Sequence, residues 1–546
     1  MNKTLTTLTL ACALTALFGC NGRPQVEADY RIVPMPAEVT VDTASTTDKS
    51  FVLNSKTIIA YNASDSLGGE ARFLADYLEP LTGLKLKISD VQPKKNYISL
   101  NLGLENENPE AYTIDVAPTG ITVKGSTAAG VFYALQTLRK SIPGAGEHNV
   151  AYPVGHIADQ PRFGYRGAHM DVSRHFFPAD SVKKFIDMMA LHNMNTLHWH
   201  ISDDQGWRIE IEKYPLLTEI GSKRPGTVIG VHTNTYDSIP VEGYYTKAEA
   251  RDIIDYAAKR HITVIPEIDL PGHMQAALAA YPHLGCTGGP YEVWKDWGIS
   301  NEVLCAGNDS VYVFLDDVLG EIADLFPSEY IHIGGDECPK IEWEKCEKCQ
   351  AKIKELGLKD DKEHTAEQKM QSHITKHVQD FLATKGRKII GWDEILEGGI
   401  APGATVMSWR GETGGIEASK MGHDVIMTPY TYLYFDYYQD EDIDSQELAN
   451  GVPLTLEKVY SYEPTPDSFT DEMKKHIIGV QANHWSEFIK NYPHMEFMTL
   501  PRWAALSEIQ WSPKGEKNYD EFLERVRNFT RIYDSQGYNY ARFAFE

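Results

Sequence analysis

Tyr330-Ile331-His332-Ile333-Gly334-Gly335-Asp336-Glu337 decides the fold of this 546-residue chain. A short apolar run reads as a buried strand, two glycines free the backbone to turn at its end, and two carboxylates follow side by side. Acids at a buried strand end cost several kcal/mol unless they are paired or hydrogen-bonded, so a chain that puts two there has chemistry for them. Taken singly, the stretch also fits an Asp-Glu pair opening a helix after a glycine turn. Repetition of the pattern settles the reading. Strand-like runs occupy Arg166–Asp171, Thr196–Ser202, Thr263–Asp269, Tyr330–Ile333, Lys388–Trp392, Thr405–Trp409, Asp424–Met427 and Val480–Asn483. Amphipathic helices separate them, among them Ser181–His192, Lys247–Arg260, Ser310–Leu325 and Glu367–Thr384. Alternating strands and helices mark a parallel βα architecture, and eight repeats over this length predict a (β/α)8 TIM barrel. A doubly wound sheet is the competing fold, but it does not place polar residues at the end of every strand. Here they are Asp171 and Arg174, Asp203 and Asp204, Asp269 and His273, Asp336 and Glu337, Trp392 and Asp393, Trp409 and Arg410, Tyr434 and Asp436, and Trp485 and Glu487. In a barrel these ends meet on one face, where active sites lie.

Outward from the barrel, residues 158–546 form the catalytic unit, with Tyr519–Tyr533 as an amphipathic closing helix. Residues 31–157 mix short alternating segments (Tyr97–Leu102, Tyr112–Val116) with the helical spacing of Gly130–Arg139, which predicts a smaller α+β domain ahead of the barrel. Residues 21–30 read as a polar tether. Residues 1–20 read as an export signal: Lys3 supplies the positive end, Leu5 to Phe18 an apolar run too short for a stable span, and Leu17-Phe18-Gly19-Cys20 resembles a lipobox. Lipidation of Cys20 would anchor the chain to a membrane without a transmembrane helix, in the periplasm or at the cell surface. A net charge of −25 argues against nucleic-acid partners and against adhesion to anionic lipid.

Five cysteines lie beyond the signal: Cys286, Cys305, Cys338, Cys346 and Cys349. Export permits disulfides, and Cys286 with Cys305 would staple one loop. Cys346-Glu347-Lys348-Cys349, with Cys338 upstream, has zinc spacing, but no second pair stands nearby and no metal is expected there. His198-Trp199-His200 is also a metal-hydrolase pattern. The later strand ends offer chiefly Trp and Asp, so no metal or other cofactor is expected there either.

Acids beside tryptophans, without a phosphate motif, suit a neutral sugar. Cleaving a glycosidic bond needs a proton donor at the leaving oxygen and stabilisation of an oxocarbenium-like centre. Adjacent residues on an extended strand diverge, so Asp336 and Glu337 are poorly placed as an acid–nucleophile pair. They fit better with Glu337 as proton donor and Asp336 orienting a nucleophilic group on the substrate, for which a 2-acetamido carbonyl serves.

Seven blocks in order carry a resemblance: Arg166-Gly167 with Asp171-Val-Ser-Arg174-His175-Phe176; His198-Trp-His-Ile-Ser-Asp203-Asp204-Gln-Gly-Trp207; Pro266-Glu-Ile-Asp269-Leu-Pro-Gly-His273; His332-Ile-Gly-Gly-Asp336-Glu337; Gly391-Trp392-Asp393-Glu394; Ser408-Trp409-Arg410; and His484-Trp485-Ser486-Glu487. The chain resembles the family-20 glycoside hydrolases, the β-N-acetylhexosaminidases, which also carry an α+β domain before the barrel. The resemblance implies Glu337 as acid/base, Asp336 on the acetamido N–H and Tyr434 on the acetamido carbonyl. It implies Arg174, Asp436 and Glu487 on sugar hydroxyls, and Trp392, Trp409 and Trp485 as pocket walls. Asp203, Asp269 and His273 would form the network that tunes Glu337. Asp203 is preferred to Asp204, which then caps the following turn; Asp171 reads as a structural partner of Arg174, and Trp207 and Trp343 as packing. Glu267, Asp393 and Glu394 stay open between pocket and buried ion pairs. The expected substrate is a glycan ending in β-linked N-acetylglucosamine or N-acetylgalactosamine, cut by an exo-acting, retaining enzyme. Lacto-N-biosidase-type disaccharide release and non-catalytic glycan binding are the alternatives.

Overall fold

The computed structural model describes residues 17–18, 23–42, 49–231 and 233–545; Cys20 and the proposed signal fall outside them, Leu17 and Phe18 excepted. The chain divides into two compact units, one of residues 1–32, 36–160 and 528–536, the other of 33–35, 161–527 and 537–546. In the first, a seven-stranded mixed sheet runs in the order 38–41, 155–159, 112–117, 120–125, 97–101, 58–61, 87–89. Helices Gly68–Thr82 and Ala128–Lys140 pack with it, burying Leu74, Leu78, Val131, Leu135 and Leu138.

The second unit is a closed barrel of eight parallel strands. They are β1 (Tyr165–Asp171), β2 (Thr196–His200), β3 (Thr263–Glu267), β4 (Tyr330–His332), β5 (Lys388–Trp392), β6 (Thr405–Ser408), β7 (Val425–Met427) and β8 (Ile477–Ala482). Each corresponds to a run read from the sequence. The differences lie at the ends: β2, β3 and β6 stop before Ser202, Asp269 and Trp409, because the chain leaves the ladder there to build loops. Strand β8 starts earlier than Val480, and Gly479 lies inside it. A Cβ at Gly479 would sit 2.0 Å from the Tyr165 carbonyl oxygen on β1, so close strand approach requires the glycine that masked the strand pattern.

Helix boundaries follow local chemistry. Thr246 and Glu249 form a capping box on Lys247–Ala258, Thr365 and Gln368 do so on Ala366–Thr384, and Asn308 caps Asp309–Leu325. The closing helix runs Tyr519–Gln536. Inside the barrel, an apolar cluster that includes Ile265, Ile390, Met407 and Ile426, the usual kind of filling, shares the interior with polar side chains. His169, His198, His200, Glu267, His332 and Gln481 are all fully buried.

The fold also corrects the reading of the cysteines. Cys286 and Cys305 lie on the long β3 loop, Cys346 and Cys349 on the β4 loop at the start of helix Glu347–Glu355, and all four sulfurs lie within 4.8 Å of one another. The second pair that Cys346-x-x-Cys349 lacked in sequence comes from the neighbouring loop. The four are free thiols, so Cys286 and Cys305 are not joined as a loop staple, and the fifth thiol, Cys338, is also free and lies outside the cluster.

Candidate active site

The β4 loop turns through three left-handed residues, Gly334 (φ 62°), Gly335 (φ 94°) and Glu337 (φ 44°). A Cβ on Gly334 would lie 1.8 Å from Asp269 Oδ1, so only glycine fits. Glu337 has no such licence, and a non-glycine residue held left-handed at a strand end marks a constrained functional position. Asp269 accepts the Gly335 N–H at 3.2 Å. It therefore holds the loop from behind and does not hydrogen-bond His273. Burial first, then Asp336, push its carboxyl well above the usual range.

The turn changes the expected relation of the two acids. His273, itself left-handed at φ 50°, has its Nε2 3.8 Å from Asp336 and 3.6 Å from Glu337. These are ion-pair distances beyond hydrogen-bond reach. Neighbouring carboxylates that would diverge on an extended strand thus converge on one imidazole. On its other side, His273 Nδ1 lies 3.2 Å from Asp203 and 3.1 Å from Asp204. Against the burial that would lower it, these acids raise the imidazole well above its ordinary value. Asp204 meets both descriptions left open by the sequence: it reaches His273 and accepts the Gln275 N–H at 2.9 Å. Asp203 joins His273 to Arg174, 2.9 Å away, and to His200 at 2.7 Å. Those cations overcome burial and hold Asp203 well below the usual carboxylate range.

Arg174 is fixed on four sides: by Asp203, by Asp171 at 3.3 Å, by Gln205 Oε1 at 3.0 Å, and by the Trp485 ring 4.9 Å below its guanidinium. Asp171 also accepts the backbone N–H groups of Ser173 and Ser486, in keeping with a structural role. Glu267 is the hub of the barrel interior, with His200 Nδ1 at 2.6 Å, His332 Nδ1 at 3.1 Å and Trp392 Nε1 donating at 2.9 Å. It orients Trp392 and, with Asp203, drives His200 up to about 10 despite burial. Glu394 accepts the Trp409 indole N–H at 2.9 Å, and Asp393 accepts the Trp409 backbone N–H at 3.0 Å. Sequence spacing could not separate these acids from pocket residues, because their partners come from other strand ends: imidazole and indole groups for Glu267, an indole for Glu394, and backbone N–H groups and the Arg410 guanidinium for Asp393. Trp207 and Trp343 are fully buried packing residues.

The remaining side chains line one cavity of ≈ 230 Å³: Arg174, Asp336, Glu337, Trp392, Trp409, Tyr434, Asp436, Trp485 and Glu487, joined by Tyr437, Asn450 and Gly451. Every substrate-contacting candidate from the sequence is here, while Asp203, Asp269 and His273 lie behind it. Tyr434 stacks on Trp409 at 6.1 Å and 21°. Asn450, which carried no motif signal, donates to Asp436 Oδ2 at 3.1 Å. Among the described residues, three buried carboxylate oxygens on this lining have no hydrogen-bond partner: Asp336 Oδ1, Asp436 Oδ1 and Glu487 Oε2. Burial, then Glu337 against the pull of His273, bring Asp336 up to about 6. Burial and Glu487 bring Asp436 up to about 8.

Such a lining, aromatic walls around unfilled acceptors, fits a neutral ligand rich in O–H and N–H donors. Residues 163–514 match the catalytic domain of glycosyl hydrolase family 20, and residues 29–160 match domain 2 of the same family. The chain belongs to glycosyl hydrolase family 20. It is a glycoside hydrolase of the β-N-acetylhexosaminidase type. A β-hexosaminidase of Porphyromonas gingivalis is 40% identical over 554 residues, covering 98% of this chain and 68% of that protein. One from Vibrio furnissii is 37% identical over 404 residues, covering 73% and 64%. Among solved structures, a mutant Streptomyces plicatus β-hexosaminidase in complex with the product GlcNAc superposes with TM-score 0.80 at 31% identity, over 94% of this chain and 96% of that one. An exo-β-N-acetylglucosaminidase of Vibrio harveyi with N-acetylglucosamine gives 0.81 at 30%, over 95% and 79%.

Proposed function

We propose that this family-20 enzyme removes single terminal, non-reducing β-linked N-acetylglucosamine or N-acetylgalactosamine residues with retention, using the substrate's own acetamido group as nucleophile. Glu337 protonates the departing oxygen. Asp336 accepts the acetamido N–H and Tyr434 donates to its carbonyl, so that the carbonyl oxygen attacks the anomeric carbon and an oxazolinium forms. Water, deprotonated by Glu337, then opens it. His273, charged and held by Asp203 and Asp204, faces both acids and steadies their negative charge as the proton moves. Arg174, Asp436 and Glu487 take the hydroxyls of the terminal sugar, and Trp392, Trp409 and Trp485 shape the pocket around it.

The observation that carries this reading is the unpartnered, buried Asp336 oxygen beside the stacked Trp409–Tyr434 pair. An amide N–H is the donor such an acceptor needs, and flat rings suit the acetamido plane. The cavity, ≈ 230 Å³, lies below the about 300–1,000 Å³ of pockets for drug-sized ligands, which favours one sugar over a disaccharide. The test is hydrolysis of p-nitrophenyl β-GlcNAc beside p-nitrophenyl β-glucoside. Cleavage of the first alone is expected, and equal cleavage of both would defeat substrate assistance.

A further inference from the structure

The chemistry on the β3 and β4 loops does not end at the pocket. Sγ of Cys305 lies 3.7 Å from that of Cys346 and 3.7 Å from that of Cys349, and Cys286 lies 3.8 Å from Cys349. All four sulfurs lie within 4.8 Å of one another. For sulfurs at the corners of a tetrahedron about 2.3 Å from a central zinc, the corner-to-corner distance is about 3.8 Å. A disulfide would instead single out one partner at bonding distance, whereas Cys305 is equally near two. We propose that Cys286, Cys305, Cys346 and Cys349 bind one structural zinc ion as a four-thiolate centre, separate from the sugar site.

Local structure supports a closed site. Cys346-x-x-Cys349 has the spacing of a zinc-binding pair, with Cys346 extended (φ −77°, ψ 117°) just before the helix Glu347–Glu355. The opposing pair sits where the β3 loop doubles back: Gly285 bridges Leu304, and the Cys305 N–H donates to the Leu284 carbonyl at 2.8 Å. Gly307 then packs so tightly on the other loop that a Cβ there would meet the Lys348 carbonyl carbon at 2.2 Å. Trp343, fully buried, donates its indole N–H to the Leu304 carbonyl at 2.9 Å. Cys305 and Cys349 are fully buried and the other two half-buried. Four protein ligands leave no open position, so the centre is structural. On binding, each thiol gives its proton to solvent, four zinc–sulfur bonds form, and nothing is oxidised.

The site's place explains its use. The β3 loop carries His273 as well as Cys286 and Cys305, and the β4 loop carries Glu337 as well as Cys346 and Cys349. One ion therefore clamps the two loops whose spacing sets the 3.6 Å approach of His273 to Glu337.

The test begins with the full chain, produced with its own N-terminal segment and purified without reductant. Elemental analysis is expected to find one zinc per chain. The Cys286→Ser/Cys349→Ser variant should lose at least tenfold of that zinc, and Cys338→Ser should keep it. If the double variant fails to fold, the wild type still decides. Cobalt exchanged into it should show the thiolate charge-transfer and intense visible bands of a tetrahedral sulfur site. Alkylation under denaturing conditions with chelator should label all four cysteines. Peptide mapping that finds them in disulfides, four free thiols with no zinc, or iron in zinc's place would each overturn the proposal.

Discussion

Replacing Asp336 by asparagine should make the folded protein more stable near neutral pH while removing most of its activity. In the fold this carboxyl is pushed up to about 6 from an ordinary value of 3.8. The gap of about two pH units is worth about 3 kcal/mol. A raised carboxyl pKa means that the folded state binds the proton more tightly than the unfolded chain. The stability that this one group contributes is therefore full below pH 3.8 and is lost as pH rises through 6. Asparagine of the same shape never ionises, so it escapes that decline, although it forgoes attraction to His273. The stability gain of Asp336→Asn should be near zero at pH 4 and reach about 2–3 kcal/mol at pH 8.

Urea titrations of both proteins at pH 4, 6 and 8 would measure this. All ten tryptophans lie between Trp199 and Trp511, so their fluorescence follows the barrel and not the first unit, which matters in a chain of two compact units. In parallel, turnover of an aryl β-GlcNAc should fall by about 10²–10³, the range for losing one preorganised electrostatic contact to the reacting group. A stability difference that is flat with pH, or largest in acid, would refute the argument for an ionised, uncompensated Asp336. Undiminished turnover would refute its contact with the acetamido group.

Glu337→Gln should cost about 10²–10⁴ on natural glycans but far less on aryl glycosides whose leaving groups depart without a proton; equal losses in parallel kinetics on the two substrates would count against Glu337 as the acid. Arg174→Lys removes the planar fork that meets Asp171, Asp203 and Gln205 and lies over Trp485, and should raise KM at least tenfold; a KM unchanged in Michaelis curves would show that the guanidinium does not position the sugar. Gly334→Ala drives a Cβ into Asp269 at φ 62°, so a loss of at least about 3 kcal/mol in denaturation or failure to fold is expected, and a wild-type melting point would show that the β4 turn is not fixed there.

The barrel was legible because its strands are short, apolar and each closed by a polar residue, a pattern local to every strand. Gly479 hid the first turn of β8, since the reason for a glycine there is a carbonyl on β1, more than 300 residues away in sequence. The pocket residues were legible for a related cause: Asp336, Glu337, Trp409 and Trp485 follow directly on strands whose ends must converge. Asn450 was not legible, because it reaches Asp436 from a loop with no periodic pattern. Nor were the partners of Glu267 and Glu394, which bind through side chains brought from other strands. The cysteines failed for the same physical reason. Proximity of Cys286 and Cys305 to Cys346 and Cys349 is produced by two adjacent βα loops folding on each other, and spacing along the chain holds no trace of it.

Two electrostatic kinds stand out among the acids of this barrel end, and apart from Asp269, a raised acid that holds the β4 loop, the division tracks their proposed work. Asp203 and Glu267 are ringed by basic side chains, Arg174, His200 and His273 around the first and His332, His200 and His198 around the second, and these neighbours hold both carboxyls low although both are buried. They are fixed negative charges that orient other groups. Asp336, Asp436, Glu394 and Glu487 lack enough cation, and burial raises each of them, to about 6 for Asp336 and about 8 for Asp436 and Glu394. Glu394 already holds the Trp409 indole. The other three line the cavity, each with one buried oxygen unsatisfied. An unpaired buried acceptor is costly in the empty protein and is relieved only when a donor arrives. In the proposed reading, a sugar brings hydroxyls to Asp436 and Glu487, and an acetamido sugar alone brings an N–H to Asp336. On that reading, selectivity for that sugar would follow from the protein's own unmet hydrogen bonds, because a ligand without the amide leaves Asp336 buried and unsatisfied.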